Sequence, residues 1–448
     1  MESTETLIKI LGANKKGVAT GVYSVCSAHK TCLEASMLQA KENDSLLLVE
    51  STSNQVNQFG GYTGMTATDF AAYIKDIAMA QAFPFERIVL GGDHLGPNAW
   101  QYEKTESAME KAEVLVKSCV NAGYKKIHLD TCMFCLDDYR TKPLAYEIIA
   151  ERTARLCKAC EDSSNEIGTK EGQGKPLYII GTEVPVPGGT GGETRPQEAS
   201  EKENVITPTS PENIKETILT MERAFRKAGL ESAWERVIAV VAQPGVEFGE
   251  DSIFYYDREK ALSLSRVLDN SPLVYEAHST DYQTGQNLKH LVEDHFCILK
   301  VGPSLTYAYR EALFSLAKIE KELAFKIASL SNLEETIEKV MLESRPNYWE
   351  KYYYGTEEEK HFARKFSLSD RVRYYWPNEE LVAAVEKLFG NLSSVGIPQI
   401  LLRQYMPHLL LPLHDDMIGK SPNELVTAHI RRTLELYAIA CGHVDDQS

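Results

Sequence analysis

The sequence of 448 residues predicts an α/β fold, a (β/α)8 TIM barrel with a C-terminal helical extension. Three observations predict it. Short β-branched or apolar runs alternate with longer stretches of helical apolar spacing. The alternation repeats eight times over roughly 300 residues, the scale of a closed barrel. At almost every expected strand end stands an acid, an imidazole, an amide or an amine.

The strands are read at Val18–Tyr23, Leu46–Val49, Arg87–Leu90, Lys126–Leu129, Leu177–Ile180, Val237–Ala242, Leu273–Tyr275 and Cys297–Val301. Between them, "TATDFAAYIKDIAMAQAF" and "ESAMEKAEVLVKSCVNAGY" carry apolar residues at helical spacing. "LAYEIIAERTARLCKACEDSS" reads as one continuous helix. Ser210-Pro211-Glu212 starts another, with a capping hydroxyl, a proline at the first helical position and an acid in the first turn. Two polar, glycine-rich stretches are expected to be mobile. One is Glu161–Pro176; the other, "PVPGGTGGETRPQEASEKENVITPTSP", follows Glu183 and is placed to fold over the barrel mouth as a lid. Strand signals stop near Ala324, so residues 1–325 are assigned to the barrel and 326–448 to a helical cap or oligomerisation region.

Composition narrows the function. Hydrophobic residues make up 43% of the chain, enough for a large core. The formal charge of −16, without a dense Lys/Arg run, argues against nucleic acid or an anionic membrane as the main ligand. No apolar run has the length of a membrane span, and "MESTETLIKILGANKKG" lacks the apolar core of a signal peptide. Nine cysteines, an odd number, fit a reducing cytoplasm better than a disulfide framework.

Some motifs have a plainer reading. Cys132, Cys135, Cys157 and Cys160 approach a structural zinc spacing, but the second pair lies in a helix rather than a knuckle turn, which favours packing. "PGGTGG" (Pro187–Gly192) has no following Gly-Lys-Ser/Thr and no immediate helix, so no nucleotide cofactor is expected. Lys300 suits Schiff-base chemistry on a barrel strand, yet the nearby acids favour an ion pair.

The strand-end residues are Glu50 and Ser51, Asp93 and His94, Asp130, Glu183, Gln243, His278 and Lys300. In a parallel barrel these ends share one mouth. His94 and His278 offer nitrogen to a divalent metal such as zinc, and a carboxylate can complete its shell. Asp93 beside His94 is expected to move a proton, with Asp130 and Glu183 as further acids of the site. Ser279, Asp281, Gly302, Arg310 and Arg371, with Arg373 next to it, are the candidates for substrate and phosphate binding.

The segments "VESTSNQVNQFGGYTGM", "GGDHLGPNAW", "HLDTC", "GTEVPVPGG", "AQPGVEFG", "YEAHSTDYQT" and "LKVGPSLTYAYREALF" resemble the tagatose-bisphosphate aldolase Z-subunit family (GatZ/KbaZ), in order from Glu50 to about Phe314. That family is similar to the zinc-dependent class II aldolases, barrels that act on ketose phosphates. The resemblance implies that Asp93 is a proton-transfer aspartate and His94 a zinc ligand. It further implies that Asp130 assists metal and substrate, that Glu183 matches a loop glutamate, and that His278 is the zinc histidine of the seventh strand. The chain departs from the aldolases after the sixth strand, where "AQPGVEFG" replaces another zinc histidine; Gln243, Glu247 or Glu183 would have to substitute. Two activities follow from the resemblance. One is a ketose-phosphate 4-epimerase interconverting fructose 6-phosphate and tagatose 6-phosphate, favoured because an accessory subunit needs no acid–base–metal set. The other is a non-catalytic Z subunit that activates a catalytic aldolase Y subunit. A homo-oligomer is open in either case.

Overall fold

Strand side chains alternate between two apolar surroundings, and that alternation builds the barrel. Val22, Leu48, Val89, Ile179, Val241, Val274 and Ile298 gather in one cluster, whereas Tyr23, Val49, Leu90, Tyr178, Val240, Tyr275 and Leu299 belong to another, shared with the helices. The first cluster fills the barrel interior and the second glues the helices to its outside.

The computed structural model describes residues 3–139, 143–171, 174–182, 206–345 and 348–444. In chain order the strands are β1 (Val22–Val25), β2 (Leu47–Thr52), β3 (Ile88–Leu95), β4 (Lys126–Leu129), β5 (Leu177–Ile180), β6 (Val237–Val241), β7 (Glu247–Phe248), β8 (Ile253–Phe254), β9 (Val274–Ala277) and β10 (Phe296–Val301). All but β7 and β8 close into a parallel barrel of order β1-β10-β9-β6-β5-β4-β3-β2; β7 and β8 pair antiparallel with each other. The expected (β/α)8 architecture is therefore the observed one. Helices α2 (Lys30–Glu42), α3 (Ala67–Ala80), α4 (Thr105–Asn121), α5 (Tyr146–Glu171), α6 (Pro211–Lys227), α8 (Arg258–Ser265), α9 (Gly285–Glu293) and α10 (Pro303–Glu322) follow successive barrel strands, with the short α7 (Glu231–Trp234) between α6 and β6. Ser210 caps α6 through its hydroxyl, which accepts from the Asn213 N–H, and Pro211 opens the first turn as expected.

α1 (Ser3–Asn14) closes one end of the barrel: Leu7 and Leu11 join the interior cluster. At the other end of the sequence α16 (Pro422–Ala440) packs against α2, α9 and α10. Tyr437 donates to the Thr280 carbonyl, and the Thr20 hydroxyl donates to the carbonyl of Cys441. Between α10 and α16 the chain is helical: α11 (Leu333–Glu343), α12 (Glu357–Phe366), α13 (Glu379–Val395), α14 (Gln399–Tyr405) and α15 (Leu410–His414).

Three expectations change. β1 begins at Val22, because Val18 is exposed and precedes the barrel wall. β3 continues five residues past the expected end, to Leu95. Most of the Glu161–Pro176 stretch is helix, since α5 runs to Glu171. Its polar residues have partners there: Glu161 accepts from Arg236 and the Tyr178 hydroxyl, and Ser163 donates to Asn121. Glu183 and most of the proposed lid lie outside the described residues. Among the described residues no helix is long and apolar enough to cross a membrane.

Candidate functional site

Adjacent residues on a strand normally point to opposite faces, yet Asp93 and His94 both line one cavity. The cause is local. The pairing of β3 with β4 shifts register between Gly92 and Leu95, and His94 takes a left-handed φ of 48°. A bulge of this kind re-aims side chains, and strained backbone of this type concentrates at functional sites. Gly91 makes the neighbouring room, because a Cβ there would meet Glu50 Oε1 at 2.9 Å.

The cavity occupies about 420 Å³ at the C-terminal end of the barrel. Beneath it runs an ion-pair network inside the strands, which meets the lining at Lys300 and Asp93. Lys126 bridges Glu50 and Glu276, lying 2.6 Å from Glu276 Oε2. Lys300 contacts Glu50 and stands 3.0 Å from Asp93 and 3.2 Å from Glu276. Lys126, Glu50 and Glu276 are fully buried, so each charge depends on the others for compensation. Lys300 thus takes the ion-pair role.

Above this floor lie three imidazoles, not two. The ring centroids of His94 and His278 are 4.8 Å apart, and His128 stands 5.3 Å from each. Every ring has a carboxylate on one nitrogen: His94 Nδ1 to Asp130 at 2.9 Å, His128 Nδ1 to Asp93 at 2.8 Å, and His278 Nε2 to Glu276 at 3.1 Å. The opposite nitrogens, His94 Nε2, His128 Nε2 and His278 Nδ1, are buried without a partner. A carboxylate on one nitrogen and a free second nitrogen is the arrangement of a metal-ligating histidine. Donor atoms of Asp93, His128, Glu276 and His278 also lie within 4.8 Å of one another. These four residues fit a divalent cation, with His94 outside the group.

Electrostatics assigns the charges. Burial pushes Asp93 up, but His94, His278 and His128 hold it well below the usual carboxylate range. Asp130 is held at about 2, burial being outweighed by its bond to His94. Glu276 is also lowered, burial being overcome by Lys126 and His278. Burial lowers His278, leaving it neutral at pH 7, the form that offers a lone pair. Burial opposes charge on His94 too, yet Asp93 and Asp130 raise it to about 9, so a metal bound there must displace a proton.

Of the expected site residues, Asp93, His94, Asp130, His278, Ser279, Asp281, Lys300, Gly302, Arg371 and Arg373 line the cavity. Three expectations need correction, and a fourth residue is not described. Gln243 is not among the lining residues; its side-chain oxygen accepts from the Gly245 and Val246 amides and fixes the turn after β6. Arg310 is also absent from the lining, its guanidinium bonding Asp370 and the Lys365 carbonyl. The Gly302 amide and Asp281 engage each other, since Asp281 Oδ1 accepts from Gly302 and Ser304 at the start of α10. Glu183 lies outside the described residues.

His128, Glu276 and Lys126 escaped the sequence reading. The signal was there: in "KIHLD" Lys126, His128 and Asp130 stand two apart, as do Glu276 and His278 in "EAH", each set on one face of a buried strand.

Solved structures resemble the chain over most of its length. A probable tagatose 6 phosphate kinase from Sinorhizobium meliloti 1021 is 40% identical, with TM-score 0.83, over 94% of this chain and all of that one. A fructose-bisphosphate aldolase from Campylobacter jejuni matches at 14% identity and TM-score 0.43, over 88% of this chain and 93% of that one. The family described as D-tagatose-1,6-bisphosphate aldolase subunit GatZ/KbaZ-like matches residues 7–442, and this chain belongs to it.

Proposed function

We propose that the chain is a metal-dependent ketose-phosphate 4-epimerase that interconverts fructose 6-phosphate and tagatose 6-phosphate by breaking and remaking one carbon–carbon bond. The observation that carries this reading is the trio of carboxylate-backed imidazoles, each with a buried free nitrogen, beside an ionised aspartate. His128 and His278, with the Glu276 carboxylate beside them, are the residues that would hold the ion, and it would supply Lewis-acid stabilisation of negative charge on the ketose oxygens; His94 stands next to this group. Asp93 accepts the C4 hydroxyl proton as the C3–C4 bond breaks, leaving an enediolate of carbons 1–3 and an aldehyde of carbons 4–6. The aldehyde turns its other face, the enediolate re-adds, and Asp93 returns the proton to the new C4 oxygen. Asp130 and Glu276 fix the rings of His94 and His278. Lys126 offsets the buried carboxylates beneath the cavity, and Lys300, which lines it, pairs with Asp93. The cavity walls must hold both fragments until they rejoin; their escape would be aldolase chemistry.

The test is direct. The pure chain is incubated with fructose 6-phosphate, with added divalent metals or with chelator. Tagatose 6-phosphate is expected with metal and absent with chelator; its absence with every metal sinks the proposal. The family's description as an aldolase subunit favours a second reading, a partner that activates a catalytic aldolase. That reading expects no conversion by the chain alone and higher turnover when a tagatose-bisphosphate aldolase is added. Schiff-base chemistry at Lys300 would instead survive chelation and be trapped by borohydride.

A further inference from the structure

Among the described residues, a buried arginine at the rim of the cavity has no counter-charge on two of its nitrogens. Arg371 is 3% exposed and lies with its guanidinium carbon 3.5 Å from the centroid of the Tyr352 ring. Its Nη1 donates to the Tyr374 hydroxyl at 3.3 Å, whereas Nε and Nη2 are buried without a partner. The turn that presents it is held firmly. Asp370, at φ 46°, accepts from the Thr306 hydroxyl at 2.6 Å and from Arg310 Nε at 2.8 Å, which ties the turn to the first turns of α10. Two more buried donors on residues of the same cavity are unpartnered, the Ser279 hydroxyl and the Trp376 indole N–H. By contrast the amides at the start of α10, an obvious place for an anion, are already bonded to Asp281.

A dry guanidinium with two free N–H groups on one edge can pair with two oxygens of a phosphate, and ring stacking fixes the plane of that fork. We propose that Arg371 binds the phosphate ester of the substrate, with the Ser279 hydroxyl and the Trp376 N–H as further donors, so that the pocket selects a sugar phosphate over the free sugar. The sugar half of this ligand rests on the ketose-phosphate reading above; the anion site rests on Arg371 itself.

The experiment measures binding, not turnover. The full chain in EDTA is titrated calorimetrically with inorganic phosphate, fructose 6-phosphate and fructose. Phosphate and fructose 6-phosphate are expected to bind, with fructose at least about 10-fold weaker than its phosphate. Arg371→Met should weaken both phosphate ligands about 10- to 100-fold and leave fructose unchanged. Arg371→Lys keeps the charge but loses the planar fork, and should show a smaller loss of phosphate affinity; that loss against wild type remains readable if the methionine variant does not fold. Wild-type affinity for phosphate in both variants, no phosphate binding by the wild type, or equal binding of fructose and its phosphate would overturn the proposal. Phosphate binding through Arg371 in a chain that converts no fructose 6-phosphate removes the epimerase reading alone. Conversion that persists while Arg371→Met binds phosphate normally removes this one alone.

Discussion

The two halves of the barrel interior are built from the same strands on opposite principles. Toward the end closed by α1, the inward side chains are aliphatic: Val22, Leu48, Val89, Ile179, Val274 and Ile298 pack on Leu7 and Leu11. One step further along the same faces the inward residues are Ser24, Glu50, Lys126, Glu276 and Lys300, and then Asp93, His128 and His278. The aliphatic half stabilises without specifying chemistry. The charged half gains little net stability from its ion pairs, because desolvation offsets the attraction between them. The comparison teaches that the lower half lets the upper half hold a set of charges that no isolated pair of strands could bury.

Changes in the two halves should therefore differ in kind. The largest effect is expected at the imidazoles. His128→Asn should lower bound metal in the purified chain and reduce epimerisation by about 1,000-fold or more while the melting temperature stays close to wild type. Gln243→Ala, which touches only a turn, should leave metal content unchanged; equal metal loss in the two variants would undo the assignment of His128 as a ligand.

Next comes the floor. Lys126→Met leaves Glu50 and Glu276 with Lys300 in place of two shared cations and should cost about 3–5 kcal/mol in urea unfolding. Adding Glu50→Gln and Glu276→Gln should recover much of that loss. A Lys126→Met variant as stable as wild type would show that the network is not holding its own charges. In the aliphatic half, Leu48→Ala should cost about 2–5 kcal/mol of stability with turnover per folded molecule unchanged. A loss of turnover at full stability would blur the division between the halves.

The smallest effect is at the rim beyond the aliphatic half. Burial works against the Glu161 carboxylate, but Arg236 and the Tyr178 hydroxyl hold its pKa below the usual range. A depressed folded pKa gives stability that is present above the unfolded value and lost as pH falls through the folded one. Glu161→Gln should thus flatten the acid side of the stability profile below about pH 4 by less than about 1 kcal/mol, and leave neutral-pH turnover unchanged. A steeper acid limb in the variant would contradict the sign.

Much of this division was legible in the chain itself. The β4 and β5 boundaries coincide with the apolar runs that predicted them, because such short buried strands leave no choice of ends. His94 and His278 were visible because each stands just after an apolar run, where a strand surfaces. His128 was hidden because it lies within such a run, and strand periodicity does not say which of two buried faces looks inward. Arg310 misled for the reverse reason: an arginine near the mouth in sequence is bonded to Asp370, a residue sixty positions away. No local pattern encodes that pair. Arg371 was named among the candidates, but its neighbours Trp376 and Tyr352 were out of reach, since they come to the mouth only through helix packing after the barrel is complete.

The Thr20–Cys441 bond joins positions 421 residues apart, and α16 covers the place where the first and last barrel strands meet. During synthesis the opening strand must therefore wait, uncovered, until almost all of the described polypeptide has been made. Contacts of such long range are slow to form. A growing chain of this kind exposes apolar surface for most of its time on the ribosome, and its yield in a cell should depend on chaperone supply more than its finished stability suggests.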